Sequence, residues 1–93
     1  MLNHGYIIAS KQVAVEHKKV GWMYKEFPTD PNDSGWRVFS GDESIDYQED
    51  PGNFGIYDTS SIISIDPEIE HFLFADVGTE IERDRLGNLS VIK

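Results

Sequence analysis

Cysteine is absent from the 93 residues, which excludes a disulfide framework, a thiolate metal site and a thiol nucleophile, and fits a reducing compartment. Long hydrophobic runs are missing as well. The longest are a few residues, too short for a bilayer, and the amino terminus lacks the basic-then-apolar pattern of a secretory signal. The expected location is the cytoplasm. Neither GxSxG, nor a P-loop, nor GxGxxG occurs, so the short signatures of hydrolase and nucleotide chemistry are wanting. His4, His17 and His71 are the only histidines, and no two stand at metal-ligand spacing. Positive charge is scarce: eight Lys and Arg against seventeen Asp and Glu give a formal net charge of −9. Such a surface repels nucleic acid and anionic membrane and speeds encounter with basic partners.

What remains is a folding composition, with 39% hydrophobic and 12% aromatic residues. It predicts one domain over 1–93, of α+β class: a small, mostly antiparallel sheet with one or two short helices packed on it. Tyr6 to Ala9 reads as a first strand, with Ser10 capping a brief helical piece through Val13 and Val15. Val20 to Phe27 reads as a second strand, with Val20, Trp22 and Tyr24 sharing a face at period two. Pro28 stops it, and Thr29 to Gly35 is made of turn-formers. Gly35 to Phe39 should return antiparallel, setting Trp22 or Tyr24 near Trp36 or Val38. Asp42 to Asp50 allows one helical turn with Ile45 as its apolar side, ended by Pro51-Gly52. Phe54 to Tyr57 is extended, and Ile62, Ile63 and Ile65 follow N-cap candidates at 58–61. Asp66 as N-cap, Pro67 at the first position and Glu68 in the first turn start a helix that buries Ile69, Phe72 and Leu73 and ends before Gly78. Residues 79–83 and 89–92 read as a terminal hairpin turning at Leu86-Gly87-Asn88.

The charge is unevenly placed. Residues 1–25 hold four lysines against Glu16, residues 26–50 hold eight acids against Arg37 alone, and residues 58–84 hold eight more against Arg83. The run Asp42, Glu43, Asp46, Glu49 and Asp50 contains no basic residue, and that much like charge cannot be buried without partners. It is expected on the surface, either as a solvated face that keeps the protein soluble or as a recognition array. Arg37 alternates with Trp36 and Val38, so it points away from them and reads as a counter-charge for Asp33, Asp42 or Glu43. Asp30 to Gly35 resembles the opening of a calcium loop, but the closing position falls on Gly41, and an Asx-rich turn is the better reading. Carboxylate pairs for glycosidase-type catalysis arise by chance among so many acids. No cofactor or metal site is expected, and a non-enzymatic binding protein is preferred over a small hydrolase.

Five blocks in series, GWMYKE (Gly21 to Glu26), DSGWRVFSGDE (Asp33 to Glu43), DPGNFGIYD (Asp50 to Asp58), IDPEI (Ile65 to Ile69) and VGTEIER (Val77 to Arg83), resemble a family of small bacterial proteins. That family is immunity protein family 33 of polymorphic toxin systems, formerly a domain of unknown function. The similarity spans about residues 6 to 84, and Leu86 to Ile92 lie beyond it. The resemblance implies a toxin-neutralising protein partner and carries no catalytic residue. Joined to the charge pattern, it suggests mimicry of a polyanionic substrate in a toxin's basic cleft by Asp42, Glu43, Asp46, Glu49 and Asp50, with Tyr47 and Trp36 as candidate anchors beside them, although in so small a domain a tryptophan such as Trp36 is the kind of residue that packs in the core. The alternative is a generic acidic binding or regulatory domain acting on another basic protein.

Overall fold

In the computed structural model, which describes residues 5–93, the chain builds one six-stranded sheet with short helical segments. In chain order the elements are β1 (Tyr6–Ser10), α1 (Lys11–Ala14), β2 (Trp22–Lys25), β3 (Asp33–Phe39), α2 (Ile45–Glu49), β4 (Phe54–Asp58), α3 (Thr59–Ile65), β5 (Glu80–Arg83) and β6 (Leu89–Val91). Turns of 3-10 helix occupy Pro51–Asn53 and Pro67–Phe72. The strand order is β4-β1-β3-β2-β5-β6, antiparallel throughout except for the parallel pair β1 and β3. The α+β class and the mostly antiparallel sheet are therefore as expected. Among the described residues no helix is long and apolar enough to cross a membrane.

One face of the sheet is closed. Ile7 and Ala9 of β1, Met23 of β2, Trp36 and Val38 of β3 and Ile81 of β5 meet Val13 of α1, Ile62 of α3, and Ile69 and Leu73 of the 3-10 segment, all at most 5% exposed. At about 25 cal/mol per Å² this aliphatic layer is the main favourable term in the fold. The Trp36 indole, fully buried, donates its Nε1–H to the Leu73 carbonyl at 3.1 Å. Lys25 lies 5.6 Å over the same ring and donates to the carbonyls of Leu73 and Ala75 at 3.3 and 2.8 Å. A strand tryptophan and a strand lysine thus satisfy the open carbonyl end of a helical segment.

Asp66 caps that segment as its sequence suggests, accepting from the backbone N–H of Glu68. It is nearly buried, and it also accepts from Val20 N–H at 3.0 Å and from Arg83. The segment is 3-10 and not α-helical, a form adequate for so short a run because Ile69 and Phe72 then stack at its three-residue period. The terminal hairpin also forms, its turn pinned by Asp84, whose Oδ1 accepts from Leu86 and Asn88 N–H, with Gly87 at φ +88°.

Three local expectations need correction. Val20 does not share a face with Trp22 and Tyr24: it is buried in the core, while the two aromatics lie half-buried on the opposite side from Met23. The strand begins only after Gly21, where a Cβ would lie 2.0 Å from the Ser40 carbonyl oxygen, so the alternation cannot be extended back through it. Cross-strand register accordingly pairs Trp22 with Phe39 and Tyr24 with Arg37, not with Trp36 or Val38. Ile45 is 75% exposed, and Tyr47 is the α2 side chain turned inward.

Candidate functional site

Among the described residues no helical layer covers the second face of the sheet. Trp22 and Tyr24 of β2, Phe39 of β3 and Phe54 of β4 project from it, and Tyr47 of α2 reaches its edge. Their rings touch in series. Trp22 packs on Phe39 at a centroid distance of 4.8 Å and on Tyr24 at 5.0 Å, Phe39 meets Phe54 edge-on at 5.7 Å, and Phe54 meets Tyr47 edge-on at 6.1 Å. The ladder crosses β1 at Ser10, the residue opposite Phe54, whose small side chain leaves room for two phenyl rings to meet. Tilted and edge contacts of this kind contribute about 0.5–1.5 kcal/mol each beyond area burial.

Carboxylates stand beside the ladder. Glu82 is directly across from Trp22 and Glu80 directly across from Tyr24, and Glu80 accepts from Trp22 Nε1–H at 3.0 Å. An open groove of about 510 Å³ adjoins Trp22, with Asp42, Glu82, Arg83 and Asp84 among its walls. Two guanidiniums nearby are already paired. Arg83 serves Asp66, Glu68 and the carbonyls of Val20 and Gly87. Arg37, 5% exposed, holds Asp33 through two nitrogens at 2.9 and 2.8 Å and Glu26 at 2.7 Å.

That second pair depends on a backbone irregularity. Four residues of regular strand span roughly 13 Å, too far for Asp33 to reach Arg37. A shift in the β1–β3 register and Gly35 at φ +88° contract the strand between them. Arg37 is thus the counter-charge of Asp33, as one reading of the sequence had it, but buried and bidentate, not exposed. Its guanidinium holds the Asp33 carboxyl well below the usual carboxylate range. Asp33 also accepts from Thr29 and Gly35 N–H, and Asp30 from Asn32 N–H. The Asp30 to Gly35 loop is therefore a pair of Asx turns, and Asp30, its first calcium-type position, already accepts from Asn32 N–H and the Tyr6 hydroxyl.

The seven residues expected to bind a partner divide sharply. Trp36 lies in the closed core and offers nothing to a partner. Glu43 is turned inward: its carboxylate accepts from Ser10 Oγ–H and from Ser40 and Gly41 N–H, the last two at 2.8 and 2.9 Å. Burial works to raise its pKa, and those hydrogen bonds outweigh burial and lower it. Asp42, Asp46, Glu49 and Asp50 are exposed. Asp46 and Glu49, three apart, share one side of α2, Ser44 caps its start by accepting from Tyr47 N–H, and Asp50 accepts from Gly52 N–H just beyond it. Among the described residues the one ion pair these four make is Asp42 with Lys18, at 3.8 Å and largely exposed. Tyr47 is half-buried at the end of the ladder.

Glu43 is what joins these parts. It ties the loop before α2 to the end of β1, and so fixes the acidic helix beside the aromatic rings. Sequence reasoning missed the ladder itself, although β2 carries large side chains at 22, 23 and 24, a sign that both of its faces are occupied. His17 and His71 are exposed, and His4 lies outside the described residues. A family model, the Immunity protein Imm33 domain, matches residues 7–93. The match runs past residue 84 and takes in the terminal hairpin. No curated protein and no solved structure matches.

Proposed function

Because the chain belongs to the Imm33 immunity protein domain family, we propose that it neutralises a cognate bacterial toxin by binding the toxin's basic cleft with an acidic surface, acting in the cytoplasm and without catalysis. The observation that carries this reading is the state of the α2 carboxylates. Asp42, Asp46, Glu49 and Asp50 are solvent-facing, gathered on one short segment, and met by a single exposed lysine. Like charges so placed raise the local potential, and they lose their mutual repulsion only when a cationic surface covers them. Glu43 contributes by anchoring the segment, not by contact.

On this reading a toxin domain is encoded beside the gene, and the test uses that domain. The immunity protein should form a complex with it and protect cells that express it. Replacing three displayed acids together, Asp42→Lys, Asp46→Lys and Glu49→Lys, should slow association by about tenfold or more and flatten its dependence on salt. Kinetics unchanged at low and high salt would rule out the electrostatic mechanism.

A further inference from the structure

We propose that the toxin docks on the open face of the sheet, with a basic, partly apolar segment lying along the Trp22 and Tyr24 rings and a lysine or arginine side chain entering the groove between Trp22 and the carboxylates of Asp42, Glu82 and Asp84. This deepens the toxin-binding reading and rests on it.

The face is built unlike an ordinary solvated one. An antiparallel sheet covered on one side shows polar residues on the other, yet here the outer positions of three strands include Ile8, Trp22, Tyr24 and Phe39, with Ile56, 66% exposed, beside Ile8, and the charge among them, Arg37, is buried against Asp33 and Glu26. Aromatic side chains are the type that anchors protein interfaces, since they bury large area at small cost in conformational freedom. Stability alone does not call for the arrangement, because the core is complete on the other face.

Charge identifies the occupant. The groove beside Trp22 is walled by three acids, and its one guanidinium, on Arg83, already serves Asp66 and Glu68. A ligand that fits must bring positive charge to the groove and apolar surface to the rings. A nucleic acid or an anionic bilayer would meet only repulsion. A second copy of this chain, carrying the same net charge of −9, would oppose like charge with like. A cation over the Trp22 face with carboxylates behind it combines cation–π attraction with ion pairing.

Two variants test the idea by calorimetry against the toxin domain encoded beside the gene. Glu82→Lys changes an exposed strand residue and places a cation at the groove. Trp22→Ala removes the ring, with near-ultraviolet circular dichroism as the check on its fold. Both should weaken binding by about tenfold or more, whereas Glu70→Lys, exposed on the helix-covered side, should stay within about twofold. Wild-type-like affinity of Glu82→Lys and Trp22→Ala, in the presence of tight wild-type binding, would overturn the proposed docking face and leave the immunity reading standing. Failure of the wild-type protein to bind would overturn both.

Discussion

The closed face of the sheet is aliphatic and centred on one buried tryptophan, and among the described residues every buried side-chain nitrogen and oxygen has a hydrogen-bond partner. The open face is aromatic and ionic: Trp22, Tyr24, Tyr47 and Phe54 are half-buried, and Phe39 and Arg37 are buried among them. Each face has its tryptophan. Trp36 spends its indole N–H on a backbone carbonyl that ends a helical segment, while Trp22 gives its own to the side chain of Glu80. The first arrangement locks two layers together, and the second leaves a ring surface available. The contrast implies that stability and recognition are assigned to opposite sides of one sheet, so that substitutions should separate them.

The largest effect is expected at the closed face. Trp36→Ala removes a fully buried ring and leaves the Leu73 carbonyl without that donor, and should cost about 3–5 kcal/mol in chemical denaturation. Trp22→Ala should cost only about 1–2 kcal/mol in the same assay, since its ring is half-exposed. Equal losses would break the division between faces.

Next comes the ion pair inside the open face. Arg37→Met strands the buried Asp33 carboxylate and should destabilise by roughly 3 kcal/mol. The same pair sets the acid limit. The Asp33 pKa is depressed in the folded state, so its stabilisation is complete above the unfolded value of 3.8 and fades as pH falls below it. Glu43, also depressed, acts with the same sign from 4.5 downward. Thermal melts from pH 6 to pH 2 should therefore fall less steeply for Asp33→Asn than for the wild type, whatever the offset between them at pH 6.

The smallest effect sharpens the comparison from the other side. His17, three residues past α1, stands at φ +61°, a left-handed conformation that burdens any side chain. His17→Gly should stabilise by about 0.5–1 kcal/mol in denaturant titration, and toxin affinity should not change, because the residue lies by α3 beside Ser61 and Ser64, on the closed side.

Much of the fold was legible where local chemistry decides it: the hairpin between β2 and β3, the Asp66-Pro67 start, the Gly87 turn. The parallel pairing of β1 with β3 was not, because nothing local marks which strand inserts between two others. Nor was the face occupied by Trp22, which depends on the backbone contact between Gly21 and Ser40. The candidate site was half visible. Asp42 to Asp50 stands out as a charge run, but a carboxylate that anchors looks the same in sequence as one displayed, and only the proximity of Ser10 to Glu43, 33 positions away, tells them apart. Trp36 fits both a core position and an anchor beside the acids, and its complete burial decides for the core.

The division of labour between the faces is tested most directly by hydroxyl-radical footprinting of side chains in the free protein and in its complex with the toxin domain. Trp22, Tyr24, Tyr47 and Ile56 should lose reactivity on binding, while Val15, exposed on α1's side of the sheet, keeps its own. Protection at Val15 with the four open-face residues unchanged would contradict the account.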